Sequence, residues 1–236
     1  MLASDIIDRA RRQLHDLKDQ NDNPLVGQYR WPDSELLLYV NDGMREIVMH
    51  RPDSTATLLE GASGIPLVAG TRQSVPAGYT RLIEIVRNSA GNKRAIRVAQ
   101  RDDMDRWLPT WHNDTGTEVK NYVYDERDPK RFWVHPGATG TTQRVDGVLA
   151  KEPAQLLVST PQQVTTSLGT TLDTDDIYMN PLLNYVLFRA LTRDIEGNAY
   201  NRGVMFYQQF ADAMGIKARA DMMISPNMAT SQRQVE

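Results

Sequence analysis

The sequence predicts an α+β protein in which helices from both ends of the chain form a bundle and a β-rich region is inserted between them. Apolar residues recur with helical spacing near both ends, whereas the middle alternates short β-prone runs with Gly, Pro, Asn and Asp. The last residues carry few apolar side chains and cannot form a core. We expect a helical bundle domain (1–53 and 173–224), an inserted antiparallel β-sandwich or barrel-like domain (54–172) and an extended C-terminal arm (225–236).

Composition supports a folded protein and argues against several classes of function. The 236 residues are 40% hydrophobic and 24% charged, which suits one large domain or two small ones. The chain contains no Cys, so we expect neither disulfides nor thiolate chemistry. The longest apolar run, Leu36 to Val40, is too short to span a bilayer, and the N-terminus does not resemble a signal peptide. We therefore expect no membrane association.

The net charge of -3 argues against a protein that grips nucleic acid through its phosphates, because such proteins are normally basic. A mildly acidic surface instead suits a protein that DNA slides past without sticking.

Two helices are predicted at the N-terminal end. The first runs from Leu2 to about Lys18, with Ser4 as its N-cap. The second lies within the stretch from Arg30 to Asp53 and should end before Pro52. Pro32 cannot make the capping-box bond, so we expect Asp33 to cap this helix.

The centre of the second helix carries three poor helix formers, Asn41, Asp42 and Gly43. The apolar positions keep their phase on both sides, so we expect one continuous helix, with Gly43 costing about 1 kcal/mol relative to Ala. The missing side chain would let another helix come close, and the two polar residues could bond to a neighbouring subunit. We therefore interpret this triplet as a site of helix packing or subunit contact.

The inserted region contains short strands and one short helix, from Arg101 to Leu108. Residues 88–92 and 126–130 are typical of hairpin turns. The predicted strands are Ala56–Leu59, Ile65–Leu67, Arg81–Arg87, Arg94–Val98, Glu118–Tyr124, Arg131–His135 and Arg144–Ala150.

Two further helices follow. One starts near Asn180, with Pro181 in its first turn, and runs to about Glu196. The other starts near Asn198 and either ends at Gly215 or continues to Met223. Met222, Met223 and Met228 near the C-terminus are followed by too few residues to bury them, and they suit insertion into a groove of a partner.

No catalytic, metal or cofactor site is predicted. The histidines do not pair at zinc-ligand spacing, and residues 137–142 lack the ending of a phosphate-binding loop. Two acidic clusters could hold metal ions in a nuclease or hydrolase, but each lies at a predicted helix start, where acids favour the helix dipole. These clusters are Asp102, Asp103 and Asp105, and Asp173, Asp175 and Asp176.

Aromatic residues leave a second alternative open. Trp107 to Trp111 and Tyr122 to Tyr124 could form the binding surface of a carbohydrate- or peptide-binding β module. They could equally belong to the core of a small sandwich, which is the interpretation we favour.

Taken in order, several segments resemble the head-to-tail adaptor (connector) proteins of tailed bacteriophages. The resemblance lies in residues 30–53, 108–125, 128–136, 185–190, 194–198, 207–210 and 225–227. The resemblance implies a structural virion protein, assembled in the host cytoplasm, that forms a ring, commonly of twelve copies. Such a ring docks on the portal protein, extends the DNA channel and provides the attachment site for a tail or nozzle protein.

The resemblance also implies that the C-terminal arm grips the portal. The expected portal-binding residues are Met222, Met223, Ile224, Ser225, Pro226, Asn227 and Met228.

Overall fold

The computed structural model describes residues 1–16, 30–193 and 199–224, with side chains as far as Gly215. The described chain divides into two compact units. The helical unit comprises Met1–Arg51 and the described residues from Pro153 onward, and the β unit is Pro52–Glu152. Helices and mixed sheets coexist, so the predicted α+β class is confirmed.

The helices are α1 (Ala3–Leu14), α2 (Asp33–His50), α3 (Arg101–Trp107), α4 (Pro161–Leu168), α5 (Met179–Arg193) and α6 (Ala199–Ile224). In the helical unit α5 packs against α1, α2 and α6. The core between them is apolar and includes Ile6, Leu36, Val40, Met44, Leu182, Val186 and Phe210.

Three predictions about these helices are settled by the structure. The second helix is continuous through Asn41 to Gly43, and α6 continues through Gly215. Ser4 was expected to cap the first helix, but the N-cap position is Leu2, whose backbone N–H donates to the Asp5 carboxylate at 3.0 Å. Lys18, the predicted end of that helix, lies outside the described residues.

Asp33 does not cap α2, because its carboxylate takes a hydrogen bond from the buried guanidinium of Arg11. The same guanidinium donates to Asp16 at 2.7 Å and to the carbonyl of Trp31 at 3.1 Å. The sequence pattern did not reveal this partner because Arg11 occupies a different helix.

The β unit contains two sheets. The strands are β1 (Ala56–Leu59), β2 (Ile65–Pro66), β3 (Gly70–Ser74), β4 (Tyr79–Asn88), β5 (Arg97–Val98), β6 (Thr115–Gly116), β7 (Asn121–Tyr124), β8 (Arg131–Ala138) and β9 (Arg144–Lys151). In the first sheet β9 pairs with β1 and β2 along one edge and with β4 along the other. The second has the order β3-β8-β7-β5, with β6 also paired to β8.

The two sheets share one apolar core. Leu82, Ile85 and Val145 from the first sheet meet Phe132 and Val134 from the second. The β5–β7 and β6–β8 pairs are parallel, so the predicted antiparallel sheet is in fact mixed. Within residues 52–152 the strands do not close into a barrel, so the sandwich alternative describes this unit.

The strands at the sheet edges are short or irregular. The strand β4 is the longest, but its pairing with β9 shifts register at three places. The strands β1, β2 and β5 contain four, two and two residues. The remaining edge strand, β3, has five residues and a register shift between Gly70 and Arg72. Each edge therefore offers only a short regular run of backbone groups.

The chain from Pro153 to Leu172 was expected to belong to the inserted domain but lies in the helical unit. Leu156 and Leu172 are buried in the helical core, and this stretch contains the unpredicted helix α4. Because α4 consists mainly of polar residues such as Thr and Gln, its sequence has no apolar periodicity that would predict a helix. One readable signal was present: Thr160 and Gln163 form a capping box.

Candidate functional site

Gly43 lies where α2 comes closest to α5. A Cβ atom at this position would be 2.6 Å from Leu182 Cδ1 and 3.0 Å from Tyr185 Cδ1. The first distance is shorter than real Cβ contacts and the second is tight, so any side chain here requires Leu182 to shift, and a large one would press against α5. The close approach anticipated from the sequence therefore involves a helix of the same chain.

Asn41 is buried, with 3% of its surface exposed, and binds the backbone of Leu156. Its amide donates to the Leu156 carbonyl, and the Leu156 N–H donates to its side-chain oxygen, both at 2.9 Å. We call this pair of bonds the Asn41 clamp. It fixes the segment in which the chain returns from the β unit, since both backbone groups are removed from water.

Asp42 belongs to a half-exposed network of charges that joins α2 to α5. Its carboxylate is 3.3 Å from Arg189 and 3.7 Å from Arg45. The Arg189 guanidinium also lies 5.6 Å from the centre of the Tyr39 ring. The three residues of the triplet thus differ in role: one clamps backbone, one joins surface charges and one permits close packing.

Tyr39 has the most perturbed ionisation in this network. Burial raises the pKa of Tyr39 to about 12, and the hydrogen bond that its hydroxyl donates to Glu35 acts in the same direction. Glu35 in turn forms an ion pair with Arg193. The spacing of Glu35 and Tyr39 could have suggested their contact, but the third partner lies far away in sequence.

The expected portal-binding residues lie at and beyond the end of α6. The backbone of Met222, Met223 and Ile224 is helical. Ser225, Pro226, Asn227 and Met228 lie outside the described residues. At 26 residues, α6 is long enough to span about 39 Å.

Several residues of the acidic clusters have structural roles. Asp102 and Asp103 lie in the first turn of α3, and Asp105 accepts from the indole N–H of Trp111 at 2.8 Å. Asp173 accepts from Ala154 N–H at 2.7 Å, and Asp175 begins a 3-10 turn. Within the described ranges 1–16, 30–193 and 199–224, no group of three His, Cys, Asp or Glu side chains could hold a metal ion.

Two of the histidines lie near Trp111 in the β unit. His112 stacks on its ring, with centroids 3.7 Å apart, and its Nδ1 is 3.1 Å from the hydroxyl of Thr71. His135 pairs through Nε2 with the carboxylate of Asp114 at 3.2 Å. His112 therefore pairs with Thr71 and Asp114 with His135, so His112 and Asp114 do not form a dyad with each other.

The predicted aromatic surface is split by the fold. Trp111 is 1% exposed and packs with Met104 and Val123, whereas Trp107 is 79% exposed. Tyr122 is buried in the core between the sheets. A continuous aromatic surface is therefore not formed, and Trp107 stands apart from the other aromatic residues named in the sequence.

Two polar centres of the β unit were not anticipated from sequence. Asn88 donates to the carbonyls of Val119 (2.8 Å) and Arg94 (3.1 Å) and accepts from the N–H of Val119 at 2.9 Å, an arrangement we call the Asn88 clamp. Asp146 accepts from Arg87 Nε at 2.7 Å, from Gly61 N–H at 2.8 Å and from the Ser89 hydroxyl.

Burial of Asp146 raises its pKa, but the hydrogen bonds from Ser89, Arg87 and Gly61 outweigh that effect and leave the pKa below its usual value. The carboxylate is therefore held charged inside the β unit, where it joins a turn to the hairpin that follows β4.

The chain is similar to a known protein family. A family model described as SU10 adaptor protein matches residues 1–231, nearly the whole chain. The comparison with curated proteins finds no match. In the part of the chain that the structure describes, no helix combines the length and apolar character needed to cross a membrane.

Proposed function

The chain belongs to the SU10 adaptor protein family, and we propose that it is a structural head-to-tail adaptor of a tailed phage. Copies of the chain form a ring, twelve in number as the resemblance implies, that docks on the portal protein. The ring extends the DNA channel and provides the attachment site for a tail or nozzle protein. The observation that carries this proposal is the match of the family model along residues 1–231.

The two-unit architecture is compatible with the role of a ring-forming adaptor. A helical unit buries its lateral faces between neighbours, while a separate β unit presents loops and a rigid sandwich to further partners. DNA passes through the lumen without sequence-specific contacts, which suits a chain with a net charge of -3. The site of action is the virion, after assembly in the host cytoplasm.

Adaptor families of this kind are structural and in general not enzymatic. Asp105 and Asp173, two of the acidic residues that could have served a nuclease, instead accept hydrogen bonds from Trp111 and Ala154. The nuclease alternative therefore gains no support from their positions.

The C-terminal arm binds the portal in this proposal. Its contact residues begin at Met222, in the last turn of the long helix α6, and end at Met228.

Electron microscopy of the purified protein, with and without its portal protein, tests the proposal directly. We expect rings coaxial with the portal. A chain that stays monomeric by sedimentation and is not retained by the portal in a pull-down would contradict it.

A chain lacking residues 225–236 tests the arm separately. Its circular dichroism and unfolding should match those of the full chain, while retention on the portal is lost. Undiminished binding of the shortened chain would rule out the arm as the portal contact.

A further inference from the structure

One edge of the β unit carries basic side chains that have no acidic partner. Residues 93–101, KRAIRVAQR, contain four basic residues and no acidic residue. The last of the four pairs with Asp105 at 3.6 Å. The other three, Lys93, Arg94 and Arg97, are exposed and form no ion pair in the part of the chain that the structure describes.

A second segment brings a further cation to the same edge. The strands β5 and β7 pair in parallel, and the N–H of Arg97 donates to the carbonyl of Lys120 at 3.1 Å. Lys120 is also exposed and forms no ion pair with any described residue. Four unpaired cations therefore lie on two adjoining segments. We call Lys93, Arg94, Arg97 and Lys120 the basic edge.

The Asn88 clamp holds the two segments of the basic edge together. Its amide donates to the carbonyl of Arg94 at 3.1 Å and to the carbonyl of Val119, the residue before the fourth cation, at 2.8 Å. The N–H of Ile96 donates in turn to the carbonyl of Val86 at 3.0 Å. The backbone that carries the four cations is therefore fixed in the folded chain. Folding keeps these like charges near one another, which an anion between them would offset.

One acidic residue, Glu118, belongs to the same region. Its carboxylate lies against the turn at Gly91, since a Cβ atom on that glycine would be 3.2 Å from Glu118 Oε1. Residues 88–100 and 115–122 together contain four basic residues and one acidic residue, so their net charge is +3. The net charge of -3 is a sum over the whole chain and conceals this local excess.

The chemistry of the basic edge favours the phosphates of double-stranded DNA. Lys and Arg give phosphate oxygens both charge and hydrogen bonds, and such contacts do not read the bases. Tyr122, which is buried, is the one aromatic residue of the two segments, so the bases of a single strand have nothing to stack on. Val98 is the one large apolar side chain exposed there, whereas the centre of a protein interface needs more apolar surface.

We propose that the basic edge contacts the phosphate backbone of the DNA that the ring encloses. The proposal rests on the proposed function, because it names the residues through which each copy touches the DNA in the channel. Contacts of this kind have no sequence preference and let DNA slide past the protein. Repetition of the edge around the ring gives the DNA a series of such contacts, each of them weak.

Neutralisation of three of the cations tests the contact. The full-length triple variant Arg94→Gln, Arg97→Gln, Lys120→Gln is compared with the natural chain by fluorescence anisotropy of a labelled duplex DNA of random sequence. For the natural chain we expect log K to fall with log[salt] with a slope of about -3.6, as four phosphate contacts give. For the variant the slope should be shallower by about 2.7. A natural chain that does not bind the duplex at low salt would overturn the proposal.

The matched control removes the same charge elsewhere in the β unit. Arg72→Gln, Arg106→Gln and Arg127→Gln neutralise three exposed arginines outside the basic edge. This triple variant should change the slope by less than about 0.5. An equal loss of affinity in the two triple variants would show that binding follows net charge and would overturn the basic edge.

A change of opposite sign is expected at the neighbouring acid. Glu118→Gln removes the one negative charge of the two segments and should tighten binding of the duplex about threefold at low salt. Unchanged or weaker binding by this variant would contradict a DNA contact at this edge.

An acidic protein is the other possible occupant of a basic surface, and competition distinguishes it from DNA. Unlabelled duplex and poly-glutamate are each used to displace the labelled duplex from the natural chain. We expect poly-glutamate to require a concentration of charge at least about tenfold higher, because its carboxylates lack the regular spacing and charge density of duplex phosphates. Displacement by the two competitors at equal concentrations of charge would overturn the choice of DNA.

Electron microscopy with the portal protein separates this inference from the proposed function. The triple variant of the basic edge should still form rings on the portal, because its changes concern the DNA contact alone. Rings of the natural chain together with unchanged DNA binding by that variant overturn the basic edge and leave the adaptor function standing. Absence of any ring or portal complex of the natural chain contradicts the proposed function itself.

Discussion

The helical unit and the β unit use the same device, a buried Asn that binds both backbone groups of one distant residue. Asn41 reaches Leu156 across 115 positions, and Asn88 reaches Val119 across 31. The Asn41 clamp can form only after the whole β unit has been synthesised, whereas both partners of the Asn88 clamp lie within the β unit. Loop closure over the longer separation costs more entropy, so the Asn41 clamp depends more strongly on the packing around it.

The surroundings of the two clamps differ. In the helical unit the clamp lies on α2 beside Gly43, where the close packing of α2 against α5 limits the size of side chain that can be accommodated. The β unit adds a buried carboxylate, Asp146, to its clamp and thereby makes its stability depend on pH. The contrast predicts that packing changes damage the helical unit most and that changes of charge are felt in the β unit.

The largest effect is expected from Gly43→Leu, because the space at this position is already filled by Leu182 and Tyr185. We expect a loss of more than about 3 kcal/mol in the free energy of unfolding, measured in urea. The matched control is Gly215→Leu in α6, where the Cβ position meets nothing within 4 Å. That variant should gain roughly 0.5–1 kcal/mol from helix propensity.

The same pair of variants decides the role of Gly43. We propose that it serves packing within its own chain, so the damage should appear in the isolated protein. A Gly43→Leu variant that folds normally but fails to assemble would place the glycine at a subunit contact instead.

Removing either clamp should have the next largest effect. Asn41→Ala and Asn88→Ala each leave a buried N–H and C=O unpaired, which costs about 2–4 kcal/mol. Hydrogen exchange should locate the damage, in residues 153–159 for the first variant and around residues 117–121 for the second. The exposed residues Asn180 and Asn92 provide alanine controls that should change little.

If both clamp variants increased hydrogen exchange in the same residues, the two units would not be separately stabilised by their clamps.

Asp146→Asn should have a smaller effect that depends on pH. The pKa of this carboxyl is lowered on folding, so its contribution is present above the unfolded value of about 3.9 and is lost as the pH falls through the folded value. We expect a loss of about 1–2 kcal/mol near neutral pH that shrinks toward pH 3. Asp128→Asn alters an exposed pair with Arg131 and should change stability little at either pH. A pH-independent difference for Asp146→Asn would show that the charge is not the cause.

The smallest effect is expected at Tyr39, on the half-exposed network of the helical unit. Its pKa is raised to about 12, so the folded state keeps its proton where an unfolded Tyr loses it, above about pH 10. Stability should therefore fall as the pH rises from about 10 through the folded value. Tyr39→Phe should lessen that fall and cost under about 1 kcal/mol at neutral pH. Absorbance titration of the natural protein and of Tyr39→Phe measures tyrosinate formation, and the difference between them gives the titration of Tyr39. Tyr200→Phe is the control at an exposed tyrosine.

Periodicity was sufficient to predict most of the helices. In α2 the apolar face keeps its phase through Gly43, and that phase outweighed the low propensity of three residues. The helix α4 lacks such a face, since its buried side chain is Ser167. Strand β3, GTRQS, was missed for a similar reason, and the two-residue strand β6 exists only through pairing with distant residues.

The candidate site was predictable only where it depends on neighbours in sequence. The close approach at Gly43 follows from the absence of a side chain, but its partners on α5 do not. The clamps join residues far apart, and an Asn in isolation carries no sign of its partner. Exposure separated Trp107 from Trp111, which the sequence treats alike.

The short and irregular sheet edges bear on how the protein behaves before assembly. A component needed in many copies meets its own kind at high local concentration, and open strand edges are where such encounters become insoluble fibrils. A second chain finds at most a few consecutive backbone groups to pair with at β1, β2 or β5, and the register shifts of β4 interrupt any longer match. In the ring that we propose, the β unit could thus be crowded against other copies and remain individually folded.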